Sequence, residues 1–260
     1  MAHFFAGHDR PRGTEALDRM MIAAHNVSEN GFEAPANGWM LDSGGFTQLT
    51  TRGEYERTPA DYVRFVMDAS EKIPGLVAAV QQDYIVCDEV AEATGRAPGY
   101  DADFALRAET GGRFLRTHRA ARRLGCDVPI MPVLQGRTQA EYVEEASNLR
   151  HLEGEVSIVG LGGLKARKKD SPGETPSPAW CRELVLRLDE VLDVRWHALG
   201  IGARYMNHPE AGPVLRRRLW SYDSAAWKVQ AYYNDDADHN DTAFATEYAD
   251  GLTRSAPLFE

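Results

Sequence analysis

Trp39-Met40-Leu41-Asp42-Ser43-Gly44-Gly45-Phe46-Thr47 is the stretch whose reading decides the fold. Three apolar residues end in a carboxylate, and two glycines follow where backbone and ligand can approach closely. Read as a strand that stops at Asp42, it presents an acid or base at a strand end beside a permissive loop. That is where α/β enzymes place their chemistry.

Working outward, similar short apolar runs recur along the chain. Strands are expected at 3–6, 21–25, 39–42, 77–83, 130–135, 156–161, 195–200 and 219–223. Longer helix-like patterns separate most of them. Thr58-Pro59-Ala60-Asp61 offers an N-cap, a proline at the first helical position and an acidic third residue. Thr138-Gln139-Ala140-Glu141 reads as a capping box, and Ser177-Pro178 opens a further helix. Residues 31–38 leave no room for a helix, and 166–178 reads as a loop. Eight runs are the count of a closed β/α barrel, although a doubly wound open sheet gives the same alternation. A single barrel over 1–235 and an acidic tail over 236–260 are the economical division.

Composition sets wide bounds. The chain has 260 residues, 43% of them hydrophobic, enough for a sizeable core. No apolar run is long enough to cross a bilayer, so no membrane association is expected. Cys87, Cys126 and Cys181 are odd in number and far apart, which argues against disulfides and for a reduced, cytoplasmic setting. The opening residues lack the basic flank of a signal peptide, so no leader is expected. A formal charge of −10 weighs against a large nucleic-acid footprint, yet the sign is segregated. Basic clusters occupy 113–123, Lys165 to Lys169 and Arg216 to Arg218, while Asp235, Asp236, Asp238 and Asp241 gather near the end. The cluster at 113–123 reads as the solvent face of a helix.

Three expected strands finish in aspartate: Asp42, Asp83 and Asp223. An aspartate after a strand is most often a helix cap or turn former. In a barrel, however, all strand ends converge on one face, so three remote carboxylates would meet around one pocket. Such a set suits cleavage of a glycosidic bond, where one carboxylate captures the sugar cation and another group handles the proton.

Asp42-Ser43-Gly44-Gly45-Phe46 resembles a motif of the tRNA-guanine transglycosylase superfamily. Its continuation through Thr47, and Ser221-Tyr222-Asp223-Ser224-Ala225-Ala226-Trp227, look still more like the DpdA-type DNA guanine transglycosylases. The likeness runs in matching order from about Trp39 to Trp227. It implies a (β/α)8 TIM-type barrel in a single domain, with Asp223 as nucleophile and Asp42 as proton-transfer residue. Asp83 would read the guanine edge, with Asp88 a competitor for that place. Base contacts are expected from Ser43, Gly44 and Phe46, and from Gln135-Gly136, which resembles a Val-Gln-Gly element. They are also expected from Gly160-Leu161-Gly162 and Gly200. Gln-Gly alone is weak, since any strand-to-loop junction can carry it, and clustered glycines can equally cradle phosphate. Lys165, Arg167, Lys168 and Lys169 would touch nucleic-acid phosphates, or else form a solvated basic loop.

One departure matters. The superfamily members acting on tRNA carry a zinc subdomain built on clustered cysteines, and no two cysteines here are close in sequence. No metal and no cofactor are therefore expected. DpdA-type proteins also lack that cluster, so DNA and a free 7-deazaguanine base are the expected partners, in a bacterial or phage-infected cell. The resemblance also allows a homodimer, for which the sequence offers no patch. A tRNA-directed enzyme, a base-excising glycosylase, a non-catalytic nucleic-acid-binding barrel and a sugar-phosphate enzyme stay open as alternatives.

Overall fold

Each apolar run becomes a parallel strand, and turn chemistry between the runs sets where helices begin. The computed structural model describes residues 2–8, 17–28, 31–164, 176–225 and 248. The strands are β1 (His3–His8), β2 (Met20–Ala23), β3 (Trp39–Asp42), β4 (Leu76–Val80), β5 (Ile130–Met131), β6 (Val133–Leu134), β7 (Ile158–Leu161), β8 (Arg195–Ala198) and β9 (Leu219–Ser224). The helices are α1 (Gly45–Arg52), α2 (Pro59–Lys72), α3 (Asp88–Ala93), α4 (Tyr100–Leu124), α5 (Gln139–Leu149), α6 (Pro178–Asp189), α7 (Ala203–Met206) and α8 (Gly212–Arg218).

All strand pairs are parallel, in the order β5-β4-β3-β2-β1-β9-β8-β7-β6. The two ends of that order, β5 and β6, are separated in the chain by Pro132 alone. Proline has no N–H to give a ladder, so the expected strand at 130–135 divides there. Its first half pairs with β4 and its second with β7, and the Gly160 N–H donates to the Pro132 carbonyl at 2.7 Å, carrying the β6–β7 ladder back to the proline at the seam. The result is a nearly closed β/α barrel in which eight strand positions are filled by nine segments.

The expected caps form. Thr58 accepts from the Asp61 N–H, Ser177 from the Trp180 N–H, and Thr138 with Glu141 makes a reciprocal capping box. Three strands end well before the apolar pattern suggests, and one of them, β8, stops at Ala198 rather than at 200. β2 stops at Ala23 and gives way to a 3-10 turn over Ala24–Asn26, and β4 stops at Val80. The stretch at 31–38 is free of helix. Residues 165–175 and, apart from Tyr248, the tail expected at 236–260 lie outside the described residues. Among those described, no helix is long and apolar enough to cross a membrane.

Alternation along the strands sorts side chains into two cores. Met20, Ile22, Trp39, Leu41, Ala79, Leu161 and Trp196 point outward and pack under the helices. Phe5, Met21, Met40, Ala78, Val80, Met131, Val133 and Ile158 point inward and fill the barrel. This apolar plug is the floor of the site. Two residues beyond Phe5, Met21, Met40 and Val133 the interior turns small or polar, at Gly7, Ala23, Asp42 and Gln135, and Asp223 of β9 joins them in the cavity wall.

Candidate active site

Above the plug lies a cavity of about 730 Å³, at the C-terminal ends of the strands, with Asp42, Asp83 and Asp223 in its wall. Strand parity explains two of them. Asp42 follows interior Met40 by two residues, and Asp223 follows buried Ser221 by two. Only β2 and β1 separate their strands, and the interior positions near their ends are Ala23 and Gly7, which bring almost no side chain into the gap, while His8 at the end of β1 also lines the cavity. Asp83 arrives differently. Gln81-Gln82-Asp83 leaves strand geometry after Val80, although the Gln81 N–H still bonds to the Met131 carbonyl at 3.0 Å. The Tyr62 hydroxyl donates to the Val80 carbonyl and the Tyr55 hydroxyl to the Asp83 carbonyl, both at 2.5 Å, which fixes this exit.

Each carboxylate has a distinct environment. Burial, then the charges of Asp83 and Asp223, push Asp42 up to about 7, against the backbone N–H groups of Gly44 and Ser43. Burial pushes Asp83 up to about 6, opposed chiefly by the amide of Gln135, which donates to Oδ2 at 2.6 Å. Asp223 accepts twice on one oxygen. The Gly200 N–H reaches its Oδ1 at 3.0 Å, and Nε2 of His197 lies 3.2 Å from the same atom. Nδ1 of His197 is 2.7 Å from Ser221 Oγ. Asp42 is therefore poised to exchange a proton near neutral pH.

The glycine pair after Asp42 has a steric reason. Gly44 takes φ +70° as the cap of α1, and a Cβ there would stand 2.6 Å from His25 Nδ1. At Gly45 a Cβ would strike the Tyr55 hydroxyl. The turn is thus pressed against His25 on one side and the Asp83 support on the other. It delivers Phe46, 52% exposed, to the cavity rim as a flat apolar face.

Of the residues expected at the site, Asp42, Phe46, Asp83, Gln135, Gly162, Gly200 and Asp223 line this cavity. Ser43 is buried behind the rim and Gly44 is spent on the turn. Gly136 packs on Glu141 and Tyr142, Gly160 sits against Val133 and Met131, and Leu161 lies in the outer core. These last three do not reach the cavity wall. Gly162 leaves space for the Gln135 amide, which a Cβ would overlap, and its carbonyl accepts from Tyr142. Lys165, Arg167, Lys168 and Lys169 lie outside the described residues, as do Ala226 and Trp227.

Asp88 also reaches the cavity, at the start of α3, but it is committed to an ion pair. Arg137 holds Asp88 and the buried Asp103 at 2.6 Å each. Asp83 is instead bonded to the Gln135 amide. The 113–123 cluster needs a correction. Arg113 is not on the solvent face: it turns inward, donates to Gln82 Oε1 and the Arg57 carbonyl, and lies over the Tyr55 ring at 4.7 Å. His197 was not singled out in the sequence, and Ser221 was quoted only within the segment around Asp223, with no role given to it. Their signal was a polar residue at an interior parity position in each of two neighbouring strands. Among the described residues no cluster of His, Cys, Asp and Glu could hold a metal ion.

The family model DpdA, described as DeoxyPurine in DNA protein A, matches residues 3–242. The chain belongs to the DpdA family. At family level this DpdA member is a DNA-modification transglycosylase, with DNA as its substrate. Solved structures similar to the DpdA chain include a putative phosphonomutase from Burkholderia cenocepacia J2315. It is 12% identical over 95% of this chain and 94% of that one, with a TM-score of 0.51. A 2,3-dimethylmalate lyase of the PEP mutase/isocitrate lyase superfamily is 12% identical over 100% and 85%, with a TM-score of 0.52. At such identity the likeness speaks for the barrel alone. No curated protein matches by sequence.

Proposed function

We propose that this DpdA-family barrel exchanges guanine in DNA for a free 7-deazaguanine base through a covalent aspartyl-sugar intermediate. The observation that carries the reading is the convergence of Asp42, Asp83 and Asp223 on one cavity, with Asp42 pushed up to about 7. Asp223 is the nucleophile. Among the described residues its two hydrogen bonds both engage Oδ1, and Oδ2 is the atom that attacks C1′ of the sugar. As the C1′–N9 bond breaks, its electron pair goes to the departing base, and Asp42 supplies the proton. Asp83 and Gln135 read the polar edge of guanine, since an amide both donates and accepts. Phe46 stacks on the base face at the rim.

In the second half the roles reverse. The incoming base loses its N9 proton to Asp42, attacks C1′, and returns the electron pair of the C1′–Oδ2 bond to Asp223. Two displacements retain configuration, the logic of a retaining glycosidase. A base buried in duplex DNA must first be flipped out, or the substrate must be single-stranded.

The test is incorporation. Purified protein incubated with DNA and labelled 7-cyano-7-deazaguanine should place label in the DNA, and Asp42→Asn and Asp223→Asn should each abolish it. Label entering tRNA instead, or guanine release without incorporation, would replace this reading with the tRNA-directed or base-excising one.

A further inference from the structure

The atoms around Asp223 Oδ1 bear on how long a covalent intermediate lasts. We infer that His197, oriented by Ser221, is a positioning residue that makes Asp223 a good leaving group in the second half-reaction. The inference rests on the proposed role of Asp223 as nucleophile.

His197 is fully buried on β8 and packs edge-on against Phe5 at 6.1 Å. Its Nε2 meets Asp223 Oδ1 at 3.2 Å, and its Nδ1 meets Ser221 Oγ at 2.7 Å. Of the two single-hydrogen tautomers, only the Nε2–H form can donate to the carboxylate, and a Ser221 hydroxyl donating to Nδ1 selects it. Ser221 and Asp223 share one face of β9, and β8 pairs beside it with His197 opposite Ser221. The three groups therefore form a stack that the register itself enforces. The Gly200 N–H lands on the same oxygen.

When Oδ2 bonds to C1′, Oδ1 becomes the carbonyl oxygen of a neutral ester. Hydrogen bonds to a charged oxygen are stronger than those to a neutral one. The donors on Oδ1 consequently favour the free carboxylate over the ester. They strengthen as the C1′–Oδ2 bond breaks and the electron pair returns to Asp223. Removing the His197 donor should therefore slow discharge of the intermediate and let it accumulate. The difference between a charged and a neutral acceptor corresponds to about tenfold.

The experiment uses the full chain and a guanine-containing DNA oligonucleotide, quenched in denaturant so that a protein–DNA adduct can be resolved and its site mapped by peptide mass spectrometry. The adduct is then chased with 7-cyano-7-deazaguanine. His197→Phe keeps the ring against Phe5 and removes the donor. It should raise the adduct-to-free ratio and slow the chase, each about tenfold. Ser221→Ala, which frees the tautomer, should move both in the same direction by less. Formation and discharge falling together in folded His197→Phe would mark a merely structural role and overturn the inference, as would an unchanged ratio. If His197→Phe fails to fold, an unchanged chase rate in Ser221→Ala overturns it alone. An adduct absent from the unmodified protein, or mapped away from Asp223, overturns the nucleophile assignment first and this inference with it.

Discussion

At the residue scale, three carboxylates share a cavity whose floor is hydrocarbon, and they cannot all be charged cheaply. Asp42 absorbs most of that conflict, being pushed up to about 7 by burial and by its two acidic neighbours. This has opposite consequences for chemistry and for stability. With the roles proposed above, adduct formation needs protonated Asp42, so its rate should fall as pH rises through about 7. Discharge needs the carboxylate and should rise through the same pH, giving a bell-shaped steady-state profile. Rapid-quench measurement of each half-reaction checks this, and parallel profiles for the two would refute it. For stability, the folded pKa lies above the unfolded value, so the folded state holds an extra proton between about pH 4 and 7. The stabilisation it represents is complete below the unfolded pKa and is lost as pH rises through about 7. Asp42→Asn should then be inactive yet more stable than the parent at pH 8, on the order of 1–2 kcal/mol after allowance for solvent in the open cavity. The gain should vanish near pH 4, as thermal melts at the two pH values would reveal.

At the scale of elements, the site depends on how loops between strands and helices are tied down. Arg137, at the junction of β6 and α5, is almost fully buried and pairs with Asp103 on α4 and Asp88 on α3. Arg137→Ala would strand the carboxylate of Asp103, itself 5% exposed, without its cation. Breaking such a pair costs about 3–5 kcal/mol. The additional change Asp103→Asn should recover much of the loss, a coupling that chemical denaturation of the four-member cycle would measure. Equal destabilisation with and without the second change would contradict this account. The helix caps were legible in advance because Thr58, Thr138 and Ser177 act within three residues of themselves. Asp42 and Asp223 were legible because strand parity and strand ends are also local properties. Arg113 was not. Its run of basic neighbours suggests a solvent face, but it lies three residues after buried Thr110, beside the face of α4 that meets the barrel. His197 was hidden for a related reason: its partners are 24 and 26 residues away, and the motif that holds Ser221 and Asp223 does not reach back to it.

At the scale of the molecule, counting strands anticipates eight positions but cannot separate a barrel from an open sheet. Closure is decided by the Pro132 seam, where two half-strands each find a different neighbour. The barrel then gathers acidic groups at its mouth in a chain of formal charge −10, which by itself repels a phosphate backbone. Binding DNA there requires cations close to the rim. Gly162 and Gly163 line the cavity, and Lys165, Arg167, Lys168 and Lys169 begin two residues further along the chain. Each phosphate contact steepens the fall of log affinity with log salt by about 0.9 on duplex DNA and about 0.7 on a single strand. Replacing all four cations with alanine should therefore flatten that slope by at least about one contact and at most about four. Contacts of this kind bind substrate and transition state alike, so turnover at saturating DNA should hold while the KM for DNA rises. Fluorescence anisotropy across a NaCl titration, on duplex and single-stranded oligonucleotides of one sequence, would measure the slope and reveal which form is preferred. A slope unchanged by the fourfold substitution would assign this segment to solvent and move the backbone contacts to another part of the rim.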